Sequence, residues 1–273
     1  MPMLYLISCR MFEDELVHIF EREDDNTRLL LIENENIQSF EKKLDEVSID
    51  YEKISVAKLP PKSGQTDEFV VVLNILEFAL GANPSHLKNK VYETIEEADG
   101  LFDGILVFYG LCGNALISLE LDFECMGIPV RILKDAHGNV VDDCICASFE
   151  DKNAYIEAIM GDRNGKGTYF LTPMQAANWR KMLVLTKVAS DPDNIKMMKR
   201  VFDYSGYNKV GKIDTGLCYE KKFDKTVDEF ASIFDFKKVI FSGSTKITDD
   251  CYQSIKRELI PASSTKKENQ NDN

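Results

Sequence analysis

The apolar residues of this chain fall into short continuous runs, separated by segments where they recur every three or four positions. "MLYLIS", residues 3–8, is a run of the first kind and predicts a strand that stops at Cys9. Phe12, Leu16, Ile19 and Phe20 then recur near helical spacing and predict a helix across "MFEDELVHIFER". The alternation continues with a strand at "RLLLIE", a helix at "IQSFEKKLDEV", an alternating strand at "YEKISVAK" and a turn at "LPPKSG". Residues 66–80 read as a helix. "NPSHLKNKVYETIEEADG" is a well-delimited helix, with Asn83 as N-cap, Pro84 at the first helical position and a glycine past the end. "DGILVFYG" is almost wholly apolar, as a parallel strand covered on both faces should be. A helix over "NALISLELDFECMG" and a strand at "IPVRIL" follow, then the polar connector "KDAHGNVVDD", which turns at His137-Gly138-Asn139.

The second half reads as a helix near 150–160, extended chain at "GKGTYFLTP", and helices at "PMQAANWRKMLVLTK" and "PDNIKMMKRVFDYSG". A strand at "YNKVGKIDTG", a helix at "YEKKFDKTVDEFASIF", a strand at "FKKVIFSG" and a late helix bearing Cys251 complete it. Strands and helices alternate throughout. The expected architecture is α/β: a mainly parallel sheet with helices on both faces, a Rossmann-like three-layer αβα fold. Residues 1–261 are expected to form one domain, or to divide at about 173 into a first and a second lobe. Residues 262–273 carry little apolar content and are expected to be a disordered tail.

Composition narrows the function. With 44% hydrophobic residues in 273, the chain can bury a large core. A net charge of −13 argues against nucleic acid and anionic membrane surfaces as partners. No apolar run approaches the roughly 18 residues of a membrane helix. The first residues turn acidic at once, without the basic region of a signal peptide. A cytoplasmic, reducing location is the expectation. Seven cysteines, an odd number at irregular spacing, do not make a disulfide framework.

Parallel sheets gather ligands at the carboxyl ends of their strands, and three of the predicted ends carry cysteine. Cys9 ends the first strand, Cys112 follows the strand at 103–109, and Cys144 follows the connector after 128–133. Cys9 and Cys112 each precede a predicted helix, where free N–H groups lower a thiol pKa. Three thiolates suit zinc, or an iron–sulfur cluster with one open position. The spacing has no C-x-x-C pair, so buried packing thiols are the bland alternative. Gly110 and Gly113 either permit a tight turn or let an anion approach the backbone. With Asn114 they are the candidate cofactor contacts.

Among the histidines only His137, seven residues before Cys144, is a candidate fourth ligand; His18 and His86 read as surface positions. Asp142 and Asp143 precede Cys144, and Asp214 caps a helix or orients a ligand. Glu15 faces the rim or the solvent, and Arg131 meets an anion or a structural partner. Thr168 and Tyr169 belong to a lid or to a connection.

Together "ISCRMFEDEL", "NPSHL", "DGILVFYGLCGNAL", "IPVRI…DDCI", "GTYFLTP" with "NW" soon after, and "IDTGL" resemble the domain of unknown function 1638 family of archaea and anaerobic bacteria. The resemblance spans roughly residues 3–250. It implies that Cys9, Cys112 and Cys144 are cysteines of the family pattern, and that Cys125, Cys146, Cys218 and Cys251 are not. It also implies an association with corrinoid-dependent methyl transfer, with a corrinoid protein or methyltransferase as partner. This chain has Asp142 where the family tends to carry a histidine, and "ALGANP" where it tends to carry another. Three functions follow as expectations. One is a metal- or iron–sulfur-binding protein of one-carbon metabolism. The second is a metal-free thiol enzyme with Cys112 as nucleophile. The third is an accessory module that docks a methyltransferase or corrinoid protein.

Overall fold

The computed structural model describes residues 2–55, 58–59, 68–78, 80–160 and 167–260. The expected turn at "LPPKSG", the start of "GKGTYFLTP" and the expected tail lie wholly or largely outside the described residues. The strands are β1 (Met3–Cys9), β2 (Thr27–Ile32), β3 (Glu52–Ile54), β4 (Phe69–Leu76), β5 (Gly104–Phe108) and β6 (Val130–Ile132). They form a six-stranded sheet in the order β3-β2-β4-β1-β5-β6. Its pairings are parallel throughout. The helices α1 (Glu13–Glu21), α2 (Gln38–Glu46), α3 (Pro84–Glu96), α4 (Leu119–Asp122) and α5 (Lys152–Met160) connect these strands or follow them. This is the expected Rossmann-like α/β layering.

β1, β4 and β5 are buried along nearly their whole length, which explains their predominantly apolar content. β4 corrects one expectation. Residues 66–80 read as a helix, yet Phe69–Leu76 is the strand between β1 and β2. A continuous apolar run has no period by which to tell helix from strand. Here Val70-Val71-Val72, stiff at Cβ and packed on both faces, takes the extended form. The Asn83 cap of α3 is as expected: its side chain accepts the His86 N–H at 3.2 Å.

The second half opens with β7 (Gly167–Leu171), α6 (Pro173–Ala177), α7 (Trp179–Leu185) and α8 (Ile195–Tyr204). β8 (Tyr207–Asp214), α9 (Phe223–Phe234), β9 (Lys237–Ser242) and α10 (Lys246–Leu259) follow. β7, β8 and β9 form their own three-stranded parallel sheet. Its core is aromatic, with Tyr169 stacked on Phe230 at 5.3 Å and Trp179 edge-on to Phe230 at 5.2 Å. Tyr169 is therefore a core residue of this sheet and no lid. The two sheets meet through Phe149, whose ring centroid lies 6.1 Å from Phe170 and 6.4 Å from Phe241. α10 then packs back on β1 and β5.

The strand order sets the site. After β1 the chain runs to β2, on one side of β1, and after β5 it runs to β6, on the other. β1 and β5 are neighbours, so their following loops diverge and leave a crevice at their carboxyl ends.

Candidate functional site

Cys9 closes β1 at the mouth of that crevice, and Cys112 lies four residues past Phe108, the end of β5. The segment from Tyr109 to Asn114 is locked against residues 141–143. Leu111 donates its N–H to the Val141 carbonyl and Cys112 to that of Asp142, both at 2.8 Å. This approach needs Gly110, because a Cβ there would stand 2.6 Å from the Val141 oxygen and 2.7 Å from the Asp143 nitrogen. The same pairing carries Cys144 to the rim.

Cys112, Gly113 and Asn114 then take three successive left-handed conformations, with φ of 45°, 72° and 64°. For Cys112 that costs roughly 1–2 kcal/mol. Strain of this kind persists where surrounding structure holds it, and it clusters at functional sites. The left-handed run also corrects the expected helix over 114–127: turns occupy 112–118 and only Leu119–Asp122 is α-helical. Cys112 consequently has no helix N-terminus behind it, and the anion-cradle reading of Gly110 and Gly113 loses its helix.

All three cysteines line one cavity of about 500 Å³. Cys9, Met11 and Phe12 with residues 81–82, 109–114 and 142–145 form its walls, and Gln175, Met182 and Thr186 reach it from α6 and the α7 region. Met11, Phe12, Leu111, Ile145 and Met182 make much of the lining apolar. Gly110, Gly113 and Asn114 line it too. Cys9 is buried, and Cys112 and Cys144 are half-buried.

Burial raises the pKa of all three thiols, and their mutual proximity adds to it at Cys112 and Cys144. Burial pushes Cys9 up to about 11, and the nearby Glu13 charge adds to it. Burial and the charge of Cys9 push Cys112 up to about 12. Burial, then Cys9, Asp143 and Cys112, push Cys144 well above its ordinary value. The lowered thiol pKa expected at Cys9 and Cys112 is thus reversed, since desolvation outweighs the few N–H donors present. Burial thus disfavours the thiolate form at all three cysteines.

Tyr109, also on the cavity wall, faces the Cys9 thiol. Its hydroxyl is buried without a hydrogen bond of acceptable geometry. Asp143 accepts the N–H groups of Ile145 and Cys146, each at 2.9 Å, and so shapes the turn that carries Cys144. Asp142 pairs with Lys152 at 2.7 Å.

The other sequence candidates lie elsewhere. His137 is not among the cavity-lining residues and stands 3.8 Å from Asp151. His18 is 3.8 Å from Asp249, and His86 is 3.9 Å from Glu77. Arg131 has a structural partner, Glu258, at 3.0 Å. Asp214 accepts the Gly216 N–H at 3.2 Å and pairs with Lys212, rather than capping α9. Cys125 and Cys218 are exposed, and Cys251 bonds the backbone of Lys134. Cys146 is fully buried away from the cavity.

Glu15 is buried and uncharged at neutral pH, because burial and then Asp14 raise its pKa to about 8. It belongs to a polar junction that the sequence did not reveal. There Lys43 lies 2.7 Å from Asp14, 3.2 Å from Glu13 and 3.0 Å from the Met174 sulfur. Asp14 also accepts the Glu220 N–H at 3.1 Å, tying α1 to the second half. Tyr109, Phe12, Gln175 and Met182 were likewise missed as cavity residues, since apolar and amide side chains carry no chemical signature in sequence.

Among the described residues, no group of three or more His, Cys, Asp or Glu side chains is disposed to hold a metal ion. No helix among them is long and apolar enough to cross a membrane. A family model described as "Protein of unknown function (DUF1638)" matches residues 75–252. No curated protein and no solved structure matches the chain.

Proposed function

This chain belongs to the DUF1638 family of proteins of unknown function, and from that premise we propose that its three-thiol cavity holds an iron–sulfur cluster. The supporting observation is the convergence of Cys9, Cys112 and Cys144, from three separate strand ends, on one largely apolar cavity. A single zinc ion fits poorly. Its sulfur ligands must all lie about 2.3 Å from one centre, and no group here is disposed to hold an ion that way. A cluster divides its ligands among several iron atoms, so its cysteines stand further apart around a wider space. The cavity the three cysteines line has a volume of about 500 Å³.

Cys9, Cys112 and Cys144 would be the ligands. The neutral state of the trio fits a site charged only by its cargo, because ligation removes the thiol protons and supplies the compensating cation. A cluster held by three cysteines supplies an electron at the rim, or an iron open to substrate. The protein's own part is to keep the thiols dry and fixed. Gly110 and the strained 112–114 turn hold one of them, and Gln175, Met182 and Thr186 line the cavity beside them. The proposal keeps a cytoplasmic location, consistent with seven free thiols. It also keeps a corrinoid protein or methyltransferase as partner, on the family resemblance alone.

Anaerobic purification followed by iron and acid-labile sulfide analysis tests the reading. Near-stoichiometric iron and sulfide are expected. Protein that carries neither, and accepts neither on anaerobic reconstitution, would refute it.

A further inference from the structure

Gln175 lines the cavity from α6 and is only 7% exposed. One half of its amide is committed. Oε1 accepts the Thr172 N–H at 3.2 Å and closes the capping box. That bond fixes which end of the amide is the oxygen, because a backbone N–H needs an acceptor. The other half is idle. Nε2 carries two donors, and the hydrogen bonds of Gln175 among the described residues run only through its Oε1 and its backbone N–H and C=O. Nor is Nε2 one of the buried side-chain atoms sealed from solvent without a partner. Its N–H groups therefore reach open space, and the open space that Gln175 lines is the cavity.

The surroundings select what can meet this donor. Met11, Phe12, Leu111, Ile145 and Met182 give the cavity apolar walls. The two acids on the lining already have partners: Asp142 pairs with Lys152 at 2.7 Å, and Asp143 accepts the N–H groups of Ile145 and Cys146. Burial disfavours charge here, as the raised Cys112 and Cys144 thiols and the raised Asp143 carboxyl indicate. We infer that the cavity binds a small neutral organic molecule, apolar in body, whose carbonyl oxygen accepts a hydrogen bond from Gln175 Nε2. Apolar walls with a few placed polar groups are the usual make-up of such sites, and about 500 Å³ is an ordinary size for one. Ala82 and Thr186, both exposed, belong to the lining and mark its mouth. The inference goes beyond the cluster reading and requires no metal.

The test titrates the full chain, purified anaerobically, with para-fluoroacetophenone and with para-fluoro-α-methylstyrene, its isostere with a methylene group in place of the carbonyl oxygen. Bound ligand is read by fluorine NMR, and para-fluorobenzoate is the charged probe. Wild type should bind the ketone about fivefold more tightly than the alkene, the scale of one neutral hydrogen bond, and the benzoate no better than the alkene. Gln175→Met keeps the length of the side chain without its donor, and it should lose the preference by weakening the ketone alone. This variant also loses the Oε1 cap, so Thr172→Ala, which breaks the same capping box and leaves Gln175 in place, is its control. Thr172→Ala should melt at a lower temperature and keep the fivefold preference.

No binding, equal affinity for ketone and alkene, or benzoate binding tightest would overturn the inference on wild type alone, even where Gln175→Met does not fold. A preference that survives Gln175→Met, or that Thr172→Ala abolishes, would overturn it too. Iron and sulfide measured on the same samples decide the cluster separately. A ketone preference in protein that carries and accepts no cluster would remove the cluster and keep the inference. Iron and sulfide without a ketone preference would do the reverse.

Discussion

The two parallel sheets of this protein end in rims of opposite character. At the rim of the smaller sheet the polar groups find partners at once. Thr172, after β7, caps α6 in a reciprocal pair with Gln175. Asp214, at the end of β8, takes the Gly216 N–H and the Lys212 ammonium. At the rim of the larger sheet, β1 and β5 lead to three neutral thiols, an idle tyrosine hydroxyl and a strained left-handed turn around one cavity. Strand direction and order create a rim in both cases. The side chains left without local partners distinguish the larger sheet's rim from the smaller one's.

The widest separation between the two regions should appear in their cores. Phe230→Ala removes the ring on which Tyr169 and Trp179 pack in the second sheet. It should cost about 4 kcal/mol in chemical unfolding. Bound iron in the protein that remains folded should not change. Loss of iron there would break the comparison by making the cavity depend on the aromatic core.

Glycine substitutions sharpen it next. Gly110→Ala drives a Cβ into backbone at 2.6–2.9 Å, which cannot move without shifting Cys144. A cost of about 3 kcal/mol is expected, with iron lost. Gly211→Ala, in β8, has side-chain atoms of Phe170, Phe241 and Thr168 as its nearest neighbours, at 2.8–2.9 Å. Side chains can yield where backbone cannot, so a cost of about 1–2 kcal/mol with iron retained is expected.

The fold was legible where a short apolar run had clear bounds, as in β1 and β5, or where a helix carried a cap, as in α3. It was not legible at β4, because an unbroken apolar run has no period. The helix expected after Asn114 failed for a related reason. Leu116, Leu119 and Phe123 keep near-helical spacing, but the left-handed turn before them is set by contact with residues 141–143, which the local sequence does not encode. The thiol site was readable because cysteine is chemically distinctive and strand ends can be located. Tyr109 and the Glu13–Asp14–Glu15–Lys43 junction were not. A tyrosine in an apolar strand reads as core, and three acids at the start of a helix read as a solvated face.

Glu15 gives the junction a pH signature. Its folded pKa, about 8, lies above the unfolded 4.5, so the folded state binds the extra proton between these values. The Glu15 contribution is fully present below about pH 4.5 and is lost as pH rises through 8. Glu15→Gln should therefore gain stability relative to wild type as pH rises across that window, read by urea unfolding at several pH values. A constant difference between the two would contradict the assignment.

The smallest effect belongs to the turn itself. Asn114 is left-handed at φ 64° and is a residue type that tolerates it. Asn114→Ala should cost about 1 kcal/mol, and Asn114→Gly little or nothing. Equal costs would mean that the Asn114 side chain, not its backbone, matters to the cavity.

The central claim is that three thiols act as one site. Anaerobic iron and sulfide analysis of seven single Cys→Ser variants tests it most directly. Substitution of Cys9, Cys112 or Cys144 should each remove most of the iron and sulfide, and substitution of Cys125, Cys146, Cys218 or Cys251 should leave them in place. Iron that survives loss of any of the first three, or that depends on one of the other four, would contradict the account.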